Sequence, residues 1–210
     1  MFNYKHIAIE GNIGAGKTTL AKFLSKHLNG SLLLEEYEEN EFLEDFYTDD
    51  SFALHAEIQF VLDRSKQLFK FHSNKHELIF SDYYPFKSLI FSKMNLNTKD
   101  FHLVKELIDS LYNKMPQPDL LIFLNRPIDV LQNNIKNRGR TYENEISTDY
   151  LFQLNKAYEN FLSSLNGIPI LRLNANEIDL NNEVGLIDSF TKLLSKPHEN
   201  GINRTVLNLE

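Results

Sequence analysis

Gly11-Asn12-Ile13-Gly14-Ala15-Gly16-Lys17-Thr18, with Thr19 behind it, is the stretch on which the reading of this chain turns. The apolar run His6-Ile7-Ala8-Ile9 leads into it as a short strand, and a helix leads out. Glycines at 11, 14 and 16 let backbone N–H groups turn inward around a polyphosphate with no Cβ in the way. Lys17 then brings a point charge to the terminal phosphates. Thr18 opens the helix, where its hydroxyl is placed for Mg²⁺ and the helix N-terminus adds partial positive charge. The competing reading is a glycine-rich turn that happens to end in Lys-Thr. The pattern specifies a nucleotide donor, ATP with Mg²⁺, and leaves the acceptor open.

Working outward, four more short apolar runs have strand character: Leu32-Leu33-Leu34, Leu78-Ile79-Phe80, Leu120 to Leu124 and Pro169 to Leu173. Between them lie segments with helical spacing, such as Leu103, Leu107, Ile108 and Leu111, or Leu151, Leu154, Tyr158, Phe161 and Leu162. Strand alternating with helix predicts an α/β fold: a five-stranded parallel sheet with helices on both faces, in one domain over residues 1–195. Residues 196–210 read as a tail, with Lys196-Pro197-His198-Glu199-Asn200-Gly201 as a breaker and Val206, Leu207 and Leu209 as a docking strip.

Composition narrows the partners. A net charge of −7 is unfavourable for a nucleic-acid binder, which needs a basic face. No apolar run reaches the length of a membrane span, and the N-terminus has no secretory pattern. The chain has no cysteine, so thiolate metal sites and disulfides are excluded and a cytoplasmic location is the expectation.

Phosphoryl transfer to a hydroxyl calls for a carboxylate near the acceptor oxygen, projecting from strand ends on the nucleotide side. Glu35 and Glu36 follow the second strand, although the crowd of Glu38, Glu39, Glu41 and Glu44 also suits a solvated acidic turn. Asp82 follows the third strand, placed for Mg²⁺ or for capping the next helix. Arg138-Gly139-Arg140, followed by Thr141-Tyr142-Glu143, reads either as a hinged pair of guanidinium groups that close on phosphate charge or as a basic turn at a helix end.

On these residues the chain resembles the deoxynucleoside kinase family to about Leu194, its bacterial purine branch most of all. The segment Leu34-Glu35-Glu36 through Asn40-Glu41-Phe42-Leu43-Glu44-Asp45-Phe46-Tyr47 is similar to the family's glutamate, aromatic turn and Phe-Tyr pair. The resemblance implies a P-loop kinase fold with a helical lid, Glu35 as catalytic base, and Lys17, Arg138 and Arg140 on the transferred phosphoryl group. It also implies Tyr47 and Glu143 on the sugar 3′-hydroxyl, Asn176, Glu177 and Ile178 in the adenine loop of ATP, and a homodimer through helices near residues 84–110. Asp82-Tyr83-Tyr84 lacks the arginine common in the wider family at position 83.

Base recognition is expected on the helix of Glu57, Phe60 and Arg64, which share one face, with Phe91 either stacked on the base or plain core. An ionised Glu57 only accepts hydrogen bonds, which suits the N1–H and amine of guanine, whereas adenine requires a protonated carboxyl or a water. Alternatively Glu57 merely pairs with Arg64. The acceptor expected is therefore a purine deoxynucleoside. The rivals are a thymidylate kinase-like monophosphate kinase, which needs cations for a second phosphate, and a nucleotide switch, for which Asn125-Arg126-Pro127-Ile128-Asp129 is a poor guanine motif.

Overall fold

The computed structural model describes residues 2–74 and 76–205. Its sheet contains β1 (His6–Gly11), β2 (Ser31–Leu33), β3 (Ile79–Ser81), β4 (Leu120–Asn125), β5 (Pro169–Asn174) and β6 (Gly201–Thr205), in the order β2-β3-β1-β4-β5-β6. Every pairing is parallel. The helices are α1 (Lys17–His27), α2 (Leu43–Thr48), α3 (Ala53–His72), α4 (Lys87–Asn95), α5 (Thr98–Tyr112), α6 (Ile128–Arg138), α7 (Thr148–Ser164) and α8 (Glu183–Leu194).

The side-chain period of two along the central strands sorts the core into two layers. Ile7, Ile9, Ile122 and Leu124 face a cluster with Leu20 and Leu24 of α1 and Leu186 and Phe190 of α8. Ala8, Leu121 and Phe123 face Ile90 of α4 and Leu154, Tyr158 and Leu162 of α7. Helices thus cover both faces, which is why β1 and β4 are apolar almost throughout. Glu10 is a charged residue buried in β1. Its oxygens accept from the backbone N–H groups of Tyr84 (2.8 Å) and Gly11 (3.0 Å) and from the Tyr158 hydroxyl (2.9 Å), tying α7 to the end of β1.

The chain leaves β1 toward β2 on one side and β4 toward β5 on the other. A crevice therefore opens at the carboxyl ends of the strands between them, where ligands of open α/β sheets bind. The glycine-rich loop after β1, Asp82 after β3 and Arg126 after β4 all fall at this edge.

Among the described residues the sheet has six strands where five are expected. Gly201–Thr205 pairs along β5 from Pro169↔Gly201 to Leu173↔Thr205, so this part of the expected tail extends the sheet. Its apolar signal is weak because an edge strand buries little on either face, and Ile202 remains exposed. The expected docking strip Val206, Leu207 and Leu209 lies outside the described residues. A chain ending at Ser195 loses this ladder and exposes β5 as an edge. Its stability should fall by about 2–4 kcal/mol, read as a lower denaturant midpoint, with increased aggregation.

Candidate active site

The glycine-rich loop wraps the head of α1. Gly14 has φ +80° and Gly16, the residue before α1, has φ +97°, a region open to glycine. A Cβ at Gly14 would also lie 2.7 Å from the Leu131 carbonyl oxygen. The first turn of α1 has no acidic residue and no side-chain cap, so its N–H groups stay directed at an anion. Lys17 Nζ donates to the carbonyls of Gly11 (2.9 Å) and Asn12 (3.0 Å). Burial pulls the Lys17 ammonium down to about 8 against the opposing pull of Glu10.

A cavity of about 770 Å³ runs from this loop across the sheet edge to α3, α4 and α7. Ile13 to Leu20 line its phosphate end, while Gly11 and Asn12 stand behind the wall. The Asn12 side chain turns to α7, donating to the Leu151 carbonyl (2.9 Å) and Asn155 Oδ1 (2.6 Å). Thr18 Oγ1 donates to Asp82 Oδ2 (2.5 Å), and Asp82 Oδ1 accepts from the Glu35 N–H (2.8 Å). Burial raises the Asp82 carboxyl.

Glu35 lies at the centre of the cavity wall. Its Oε1 accepts from Arg64 Nε at 2.7 Å and pairs with Arg64 Nη2, while its Oε2 pairs with Lys87 Nζ at 2.7 Å. Burial pushes this carboxyl up, but Arg64 and Lys87 together outweigh burial and hold it at about 2. Arg64 therefore serves Glu35, with its Nη1 on Ser88 Oγ (2.5 Å), instead of pairing with Glu57. Glu36 is exposed and does not line this cavity.

The remaining acceptor residues converge on the same space. Glu57, Phe60, Phe91 and Tyr47 all line it, Phe60 beneath the Arg64 guanidinium at 4.6 Å and Tyr47 stacked on Tyr142 at 5.6 Å. Burial raises the Tyr47 hydroxyl far enough to keep it a proton donor. Glu57 accepts from Ser92 Oγ and Asn95 Nδ2, both from α4.

The lid is a short 3-10 turn, Thr141–Glu145, between α6 and α7, entered through Gly139 at φ +73°. Glu143 is buried and gathers both arginines: Arg138 Nη2 at 2.5 Å and Arg140 Nη1 at 3.1 Å. Arg140 also lies 3.8 Å over the Tyr37 ring. At the far end Ile178 lines the cavity, Asn176 Oδ1 accepts from Arg126 Nη1 (3.2 Å), and Glu177 lies in the same turn.

The model of the deoxynucleoside kinase family matches residues 7–196. The chain belongs to that family. It is 30% identical over 203 residues to the deoxyadenosine/deoxycytidine kinase of Bacillus subtilis, spanning 92% of this chain and 94% of that protein. It is 34% identical to the deoxyguanosine kinase of Bacillus subtilis over 157 residues, 73% of this chain and 76% of that one. Among solved structures, the deoxyadenosine kinase from M. mycoides with bound dATP superposes with a TM-score of 0.76 at 28% identity, covering 90% of this chain and 98% of that one.

Sequence reasoning passed over Lys87, the second cation on Glu35 in this deoxynucleoside kinase. It sits in the first turn of α4, where the helix dipole disfavours a cation, so a lysine there gains from a nearby carboxylate. That was the available signal, and Lys87 supplies positive charge beside Asp82 where position 83 carries tyrosine. Arg126, Asn95 and Tyr150 also line the cavity and were not anticipated.

The Glu35 pair has a sign. Because its folded value lies below the usual glutamate value of about 4.3, its stabilisation is present above that pH and is lost as pH falls through about 2. At neutral pH, Lys87→Met should cost about 3 kcal/mol by leaving a buried charge half-compensated. Adding Glu35→Gln should recover part of that loss, a coupling that denaturant titration of the double-mutant cycle measures.

Proposed function

We propose that this protein transfers the γ-phosphoryl group of ATP to the 5′-hydroxyl of a purine deoxynucleoside, yielding the 5′-monophosphate for nucleotide salvage. The observation that supports it best is Glu35, an ionised carboxylate pinned by Arg64 and Lys87 within the same cavity as the phosphate loop. A hydroxyl acceptor needs an acceptor atom for its proton, and Glu35 offers one. Arg64 is committed to Glu35 and Ser88, so it does not offer the free guanidinium a phosphorylated acceptor requires.

Each residue then has a task. Phosphoryl transfer asks mainly for positioning and charge neutralisation, so a carboxylate held near 2 acts by orienting the hydroxyl and taking its proton late. Lys17 and the N–H groups from Gly14 to Thr19 hold the polyphosphate, and Arg138 and Arg140 leave Glu143 to meet the charge that spreads over the transferred group. Glu143, once released, and Tyr47 are placed for the sugar 3′-hydroxyl. Phe60, Phe91 and Glu57 hold the base, and Asn176 to Ile178 hold the adenine of ATP.

The donor set suits Mg²⁺, because Thr18 Oγ1 and Asp82 put oxygen ligands side by side at the phosphate end, and Mg²⁺ needs few protein ligands. When bound, the ion would neutralise charge on the β- and γ-phosphates. Among the described residues no helix is long and apolar enough to cross a membrane. We place the enzyme in the cytoplasm as a homodimer through α4 and α5, acting on a small molecule and not on nucleic acid.

Deoxyguanosine and deoxyadenosine should be phosphorylated with ATP, whereas turnover confined to their monophosphates would replace this reading with a monophosphate kinase. Glu35→Gln should lower kcat by roughly 10²-fold or more with little change in the KM for ATP. Arg138→Ala with Arg140→Ala should cost roughly 10²–10³-fold in kcat, read by steady-state kinetics.

A further inference from the structure

Glu57 differs from Glu35 and Glu143, the other two glutamates of the cavity, in having no cation on it, and from Asp82 in lying at the α3–α4 end, away from the phosphate loop. It is 4% exposed, and each oxygen meets one neutral donor: Ser92 Oγ at 3.0 Å on Oε2 and Asn95 Nδ2 at 3.2 Å on Oε1. Among the described residues no cation stands within ion-pair distance of it. On α3 the charge that acts on it is Arg64, but that guanidinium is spent on Glu35 and Ser88. Lys87 on α4 is likewise spent on Glu35. From α7 the neighbouring titratable group is Tyr150, whose hydroxyl is directed to Asn95 Oδ1 at 3.5 Å. Burial therefore pushes the Glu57 carboxyl up to about 7, with Arg64, the two donors and Lys87 offsetting it only in part.

The edges of the bases make opposite demands. Adenine presents a ring-nitrogen acceptor beside an amine donor, and cytosine presents the same pair. Guanine presents two donors, N1–H and its amine, beside the O6 acceptor. A carboxylate accepts only, whereas a carboxylic acid accepts through one oxygen and donates through the other. Ser92 can follow the proton, because its hydroxyl rotates between donor and acceptor.

We infer that the protonation state of Glu57 sets which base this cavity accepts: the neutral acid is required for adenine or cytosine, and the ionised form admits guanine but neither of these. The inference rests on the deoxynucleoside reading above. A neutral Glu57 also serves guanine through O6 and N1–H, so guanine tolerates both states and adenine only one. One cavity wall thus accommodates both purines near neutrality and discriminates between them on the alkaline side.

Equilibrium binding decides this without requiring turnover. The dissociation constants of deoxyguanosine and deoxyadenosine should be measured by calorimetry from about pH 6 to pH 8, spanning a group that titrates near neutrality. As pH rises Glu57 loses its proton, so the ratio of the deoxyadenosine constant to the deoxyguanosine constant should climb, approaching about tenfold per pH unit above neutrality. Neither purine ionises near neutrality, and effects of Lys17 or Glu35 are common to both ligands and cancel in the ratio. Deoxycytidine should follow deoxyadenosine. Glu57→Gln, with a donor and an acceptor at every pH, should bind deoxyadenosine and flatten the ratio. A flat ratio in the wild-type protein overturns the inference whether or not that variant folds, as does failure to bind either purine. Nucleosides bound with the expected pH dependence yet never phosphorylated would overturn the kinase reading and leave the role of Glu57 standing.

Discussion

The far side of the cavity from the phosphate loop depends on one largely enclosed carboxylate held between two buried cations. Glu35 emerges after β2, Arg64 comes from α3 and Lys87 from α4. Three elements that share no backbone hydrogen-bond ladder are thereby fixed around a single point. An isolated ion so deep would cost several kcal/mol, and removing any partner returns that cost. The arrangement therefore specifies position more than it adds stability. Its position lies at the carboxyl edge of the sheet, one residue beyond Leu34 and within hydrogen-bond reach of Asp82 through its own N–H.

The donor half is built differently. It relies on backbone N–H groups and the dipole of α1, with Lys17 held ready by two carbonyls. Asn12 and Glu10 reach from behind that loop to α7, the helix on which the lid turn ends. The loop and the helix that follows the 141–145 turn are thus one polar unit. Gly139, with positive φ and open space around it, is where that turn can bend.

How much of this was legible follows from where the physical constraint is local. The glycine loop, the five apolar strands and the amphipathic helices report their own backbone requirements, and each falls where the periodicity puts it. β6 was not legible, because an edge strand with alternating exposure carries little apolar signal. Glu35, Tyr47, Glu57, Phe60, Phe91, Asp82, Arg138, Arg140 and Glu143 do share one cavity. Pairings between distant segments were harder to read. Arg64 shares a helical face with Glu57, yet it bonds to Glu35, 29 positions away in the chain, because two-turn spacing gives proximity without deciding which carboxylate offers the better geometry. Lys87 was missed for the same reason, since its partner is 52 positions away.

Three glutamates in one cavity are placed in three environments, and the differences explain how a single acidic pocket can divide its labour. Glu35 has two cations and stays ionised across any working pH. Glu143 also has two cations, but both flank Gly139, so under the proposed function its ion pairs are exchanged for a ligand when these arginines meet a phosphoryl group. Glu57 has only neutral donors, and burial goes largely unopposed. Under the proposed function the same side chain is thus a fixed charge toward the hydroxyl, a releasable anchor at the lid, and a proton-bearing contact for the base. The distribution of the nearby cations makes that assignment: Arg64 and Lys87 converge on Glu35, and by doing so leave Glu57 only partly compensated. Under the proposed function, a change that frees Arg64 from Glu35 would act at both places, weakening the orientation of the hydroxyl while stabilising the charge on Glu57 and shifting the base it accepts.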